Sequence, residues 1–174
     1  MKRIKKASVV LLATALMMNT LYGCGKKKIE YTAASDFFYS SDKGHTYGDG
    51  TKEYAIGDNV YMKVKFKVTS NDDETSQVKV VLTIPSIKNV DAKYMDGQII
   101  TPNFDAVNNV TTYEFTANAS ETASEQECVI QFVPNAVGEV PMTLVFDDNV
   151  DPSYDKQSTL IFVEKTEEET EEEE

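Results

Sequence analysis

"VYMKVKFKV", residues 60–68, alternates without a break between apolar and polar or charged side chains. Val60, Met62, Val64, Phe66 and Val68 share one side of an extended chain, and Tyr61, Lys63, Lys65 and Lys67 share the other. A period of two marks a half-buried β-strand, because successive side chains leave opposite faces. The next stretch repeats it. "NDDE", Asn71 to Glu74, supplies a turn, and "QVKVVLTIP" sends Val78, Val80, Leu82 and Ile84 inward before Pro85 ends the pairing.

The same pattern recurs towards the C-terminus. "TTYEFTA" turns Tyr113 and Phe115 inward, "ECVIQFV" turns Cys128, Ile130 and Phe132, and "EVPMTLVF" turns Val140, Met142, Leu144 and Phe146. "STLIFVE", Ser158 to Glu164, closes the series, while "YMDGQII" and "IEYTAASDFFY" read as short edge strands. "VPNAVGEVP", residues 133–141, has the spacing of a hairpin loop. No segment beyond the first twenty or so residues holds a 3.6-residue period. About seven to nine short strands separated by turn signals predict an all-β, antiparallel sandwich.

From Tyr54 to Val163 the chain resembles bacterial surface immunoglobulin-like domains. The resemblance lies in "GDNVYMKVKFKVTSND" leading to "VVLTIP", and in "YEFTANAS" followed by "QECVIQFVPNAVGEVPMTLVFDD". It implies an immunoglobulin-like β-sandwich over residues 51–164. The chain departs from antibody domains in having no Trp and no pair of core cysteines.

The N-terminus is a different kind of sequence. Lys2, Arg3, Lys5 and Lys6 precede twelve mostly apolar residues, Ala7 to Met18. A bilayer core needs roughly 20 apolar residues to be spanned, so this is the layout of a secretory signal rather than an anchor. Its end, "LYGC" (Leu21 to Cys24), resembles the lipobox of bacterial lipoproteins. That resemblance implies removal of residues 1–23 and a diacylglycerol thioether on Cys24, which supplies the two acyl chains a stable anchor requires. Lys26, Lys27 and Lys28 would then meet the headgroups, each worth about 1 kcal/mol against anionic lipid. Residues 24–50 read as lipidated N-terminus and tether, partly folded as a first strand.

The chain carries a net charge of −12, and removal of the four basic residues of the leader takes it to −16. A nucleic-acid partner, which demands a basic face, is excluded. Eight of the acids fall between Glu164 and Glu174. Such a block self-repels and buries nothing, so residues 165–174 read as a disordered acidic tail.

The sequence holds no GxSxG, no paired-histidine motif and no phosphate loop. Ser40/Lys43 and Ser153/Lys156 match Ser-x-x-Lys but lack companion motifs. No enzyme activity and no cofactor are expected. Cys128 reads as a small buried apolar residue. Asp147, Asp148 and Asp151 are the candidate calcium ligands, hard oxygens in one loop, although the EF-hand pattern is missing and a metal-free, solvated loop is the preferred reading. Lys63, Lys65 and Lys67, with Lys79 beside them on the next strand, form a positive stripe. It is the candidate polyanion contact, set against edge protection or pairing with acids such as Glu114. The expected function is a membrane-anchored, extracytoplasmic, non-catalytic binding or adhesion module meeting a wall polymer or envelope protein. The alternative is a structural accessory subunit of a membrane or wall complex.

Overall fold

The computed structural model describes residues 28–49, 53–72, 74–88, 91–94 and 97–166. The leader, Cys24 and residues 167–174 lie outside them. Twelve strands run in chain order: β1 (Tyr31–Ser40), β2 (Glu53–Ala55), β3 (Val60–Ser70), β4 (Ser76–Pro85), β5 (Ile87–Lys88), β6 (Ala92–Tyr94), β7 (Ile99–Ile100), β8 (Asn103–Asp105), β9 (Val110–Ala119), β10 (Gln126–Pro134), β11 (Gly138–Phe146) and β12 (Lys156–Val163). A 3-10 turn, Pro152–Tyr154, precedes the last strand. Seven strands have eight or more residues, and the other five have two or three, which is why periodicity over longer windows registers only the former.

The strands form two sheets. One runs β1-β3-β10-β6-β7, with β5 also on β10; the other runs β2-β12-β11-β4-β9-β8. All the pairings are antiparallel except β2 with β12. The protein is an all-β, immunoglobulin-like sandwich. β1-β3-β10 on one sheet and β12-β11-β4 on the other match the A-B-E and G-F-C sets of that architecture.

The alternation read from residues 60–68 holds along all of β3, whose odd members Tyr61 to Thr69 are half-buried and whose even members are buried. Its inward face meets that of the second sheet, where Val78, Val80, Leu82, Ile84, Tyr113, Phe115, Met142 and Leu144 are buried in the same cluster. Phe66 of β3 and Phe115 of β9 cross the gap, ring centroids 5.5 Å apart. Full burial of each such side chain contributes about 1.5–3 kcal/mol.

Three local expectations change in the fold. "VPNAVGEVP" is not a hairpin: β10 and β11 lie in different sheets, so the segment arches over the end of the sandwich. Arches and hairpins share turn residues and flanking alternation, and only long-range burial distinguishes them. "IEYTAASDFFY" lies at a sheet edge as expected but is not short: ten residues pair with β3, with Phe37 and Tyr39 in the core. The sandwich therefore includes residues from Tyr31 onward, upstream of residue 51. Lys79 does not sit beside Lys63, because β3 and β4 belong to opposite sheets.

Candidate functional site

β3 is an interior strand flanked by β1 and β10, so edge protection does not explain its lysines. The register sets Asp36 of β1 and Glu127 of β10 on either side of Lys65, and Phe38 and Val129 on either side of Lys63. Lys63 reaches Glu127 at 3.2 Å, and Lys65 reaches Glu127 at 2.5 Å and Glu125 at 2.9 Å. The Lys65 ammonium holds the Glu127 carboxyl below its usual range, and Glu127, followed by Glu125, raises Lys65 in turn. Aromatic rings complete the row: Lys63 Nζ stands 4.9 Å from the Tyr47 ring centre, and Lys65 Nζ 5.7 Å from that of Phe38. Among the described residues, Lys67 forms no ion pair. The stripe is thus charge-matched at two of its three lysines. On the other sheet, Lys79 is bound to Glu114 at 2.6 Å.

The acidic loop between β11 and β12 is held by backbone amides. Asp147 accepts from the N–H of Lys79 at 3.0 Å and from that of Asn149 at 3.0 Å. Asp151 caps the 3-10 turn, accepting from the Ser153 N–H at 2.8 Å; that bond draws its carboxyl below the usual range. Asp155 accepts from the Phe146 N–H at 3.1 Å. Among the described residues no group of three or more His, Cys, Asp and Glu is placed to hold a metal ion. A native-state calcium site would raise the melting temperature by mass action. We expect calcium to cause no shift beyond that of equal magnesium; a calcium-specific shift lost in Asp148→Asn would overturn this.

Neither Ser-x-x-Lys pattern forms a serine–lysine pair. Ser40 donates to Asp42 at 2.7 Å, and Lys156 binds Asp36 at 3.1 Å. Asp42 also accepts from the Thr46 N–H and hydroxyl, which holds its carboxyl far below the usual range and pins the loop after β1. Cys128 is fully buried, and desolvation pushes its thiol up to about 12. A thiol so placed is inert at neutral pH.

Sequence reasoning missed a polar groove. β8 pairs only with Val110–Thr112, and from Glu114 to Asn118 this side of β9 borders a cavity of 420 Å³ that reaches Gln98 and Ile100 of the first sheet. A second cavity of 360 Å³ continues it past Asn118 towards Ser120 and Ser124. Gln126 stands between them: its Nε2 donates to the Thr116 carbonyl and its Oε1 accepts from the Asn118 N–H, both at 3.3 Å. The signal was present as scattered Gln, Asn, Ser and Thr, without a spacing to connect them.

No family model matches the chain, and no curated protein matches it. Solved structures similar to it include AvmM, which catalyses macrocyclisation in alchivemycin A biosynthesis (10% identity, 79% of this chain and 92% of that one, TM-score 0.46). Another is the CARDB domain of a Pyrococcus furiosus protein in complex with di-metal ions (9%, 82% and 96%, 0.44). A third is the C-terminal domain of the Streptococcus agalactiae AgI/II polypeptide BspA (14%, 75% and 49%, 0.42). These three include a macrocyclisation catalyst, a metal-bound domain and a streptococcal polypeptide domain, and they select no activity for this chain.

Proposed function

We propose that this protein is a non-catalytic binding module held at the extracytoplasmic face of a bacterial membrane by a lipid on Cys24. The observation that carries this reading is the position of Tyr31, where the first strand begins, and of Val163, where the last strand ends. Tyr31 pairs with Ser70, and Asn71 clamps Glu30 by donating its N–H to the Glu30 carbonyl at 3.1 Å and accepting the Glu30 N–H at 3.0 Å. Val163 instead lies at the Val60 end, where its carbonyl accepts from Ile56 at 2.9 Å. The eleven residues of β3 separate the two ends by about 35 Å.

Residues 24–30 can reach at most about 25 Å when extended. A domain tethered so briefly keeps its Ser70 end towards the membrane and its Val60 end outward. The membrane-facing end carries the acidic loop Asp147–Asp151, which repels anionic headgroups and favours a partner on the wall side. The outward end presents Val107, 93% exposed, and Val137, 51% exposed. A reciprocal amide pair, Asn109 with Asn135 at 3.0 and 3.1 Å, ties their two loops together.

The lysine face is the proposed polyanion contact, with Lys67 as its available charge and Lys63 and Lys65 in competition with Glu125 and Glu127. Lys67→Glu should therefore reduce retention of the protein on purified anionic wall polymer at low salt. Glu125→Gln with Glu127→Gln should increase it by releasing two ammonium groups. Both effects should fade at physiological salt, where the Debye length is about 8 Å. If neither variant changes retention, the face is structural. Stoichiometric co-purification with one membrane protein would instead support the accessory-subunit reading.

A further inference from the structure

We propose that the groove along β9 is a glycan-binding site for uncharged, polyhydroxylated oligosaccharide, an inference that rests on the reading of this chain as a binding module. The two cavities share Asn118 and Gln126 and together fall in the size range of ligand pockets, about 300–1,000 Å³. Their lining is unusual for such a pocket. Ligand sites are mostly apolar with a few polar groups, whereas here four carboxamides dominate: Gln77, Gln98, Asn118 and Gln126. The second cavity adds the hydroxyls of Thr75, Ser120, Thr122 and Ser124.

Carboxamides and hydroxyls each donate and accept hydrogen bonds. The ligand that matches a dense array of such groups carries many donor–acceptor groups of its own and no net charge, which describes sugar hydroxyls and acetamido groups. Among the described lining residues Glu114 is the one ionised side chain, and Lys79 binds it at 2.6 Å. The described lining therefore carries no excess charge with which to select an ion. Burial of apolar surface contributes little here, because among the described lining residues only Ile100 and Ala123 are apolar.

An extended peptide is the competing occupant, since it would add a strand to β9. Gln126 opposes it. Its side-chain amide already occupies the Thr116 carbonyl and the Asn118 N–H, two of the groups that an added strand would need. The same amide, planar and facing the groove, is compatible with a sugar lying over it. Individual contacts are weak, and lipid anchoring of many copies on one surface would supply avidity.

The test is a titration of the full chain, purified in mild detergent, with oligomers of N-acetylglucosamine and of glucose four to six units long. Side-chain amide resonances of Gln77, Gln98, Asn118 and Gln126 should shift together and saturably. The binding should be the same at low and high salt, unlike any contact made by Lys67. Gln77→Ala and Asn118→Ala change exposed side chains and should leave the melting temperature unchanged. Each should weaken binding about three- to tenfold, the effect of one lost neutral hydrogen bond. Absence of shifts with either oligomer, or shifts unaltered in both variants, would overturn the proposal. So would tighter binding of an unrelated extended peptide that grows in Gln126→Ala. None of these outcomes depends on Cys24, so failure of the groove leaves anchoring standing, and failure of anchoring leaves the titration valid.

Discussion

Cys24→Ser should release the protein from the membrane altogether. In wild-type cells, metabolic labelling with a fatty acid should mark a chain that begins at Cys24 and pellets with membranes. The variant should lose the label and the processing together. The effect should be large because the remaining membrane contacts are weak. Among the described residues, no helix is long and apolar enough to cross a membrane. The twelve mostly apolar residues Ala7 to Met18 fall short of a span. Lys26 to Lys28 add only about 1 kcal/mol each at an anionic surface, whereas two acyl chains gain about 0.8 kcal/mol for every buried methylene. The acidic loop at the membrane-facing end opposes adsorption as well. A wild-type chain found unlabelled in the medium would refute the lipid anchor, and with it the orientation derived from Tyr31 and Val163.

Phe66→Ala should lower the free energy of unfolding by about 3–5 kcal/mol, the usual cost of emptying a buried aromatic site. That is a large part of the 5–15 kcal/mol typical of a domain. Phe66 is 1% exposed and packs on Phe115, itself 1% exposed, at the meeting of the two sheets. The ring contact adds about 0.5–1.5 kcal/mol beyond burial, and no neighbour from a third layer can collapse into the space. Val107→Ala, at a position 93% exposed, should stay within about 0.5 kcal/mol. Urea unfolding of both variants gives the comparison. Equal, small losses would mean that the sheets do not close on Phe66.

The inward face of each long strand could be read directly from residues: Val60 to Val68 alternate because one side packs and the other does not. The same holds for Val78 to Ile84 and for Val140 to Phe146. A strand's own period fixes which side chains it buries, and the seven long strands have enough residues to show it. The short apolar run and the cysteine that follows it are likewise a local pattern, and the leader they suggest rests on the sequence alone. β2 and β5 to β8 gave little or none, since two or three residues cannot display a period.

What the alternation could not decide was which strand neighbours which. β3 and β4 follow one another with a short turn, as hairpin partners do, yet they lie in opposite sheets. That placement moves Lys79 to the far side of the molecule and leaves Lys63 and Lys65 between Phe38, Asp36 and Glu127, side chains remote in sequence. The charge of the lysine stripe was legible; the pairing of Lys63 and Lys65 with Glu125 and Glu127 was not, because ion pairing depends on register across strands some 60 residues apart. The groove is the extreme case. Gln77, Gln98, Asn118 and Gln126 come from four strands or their flanks, and no spacing links them. Sequence determined which face of each strand is dry, a matter of local periodicity. Only the packing of two sheets, driven by burying those faces against each other, decided which polar side chains would stand together at their open edge.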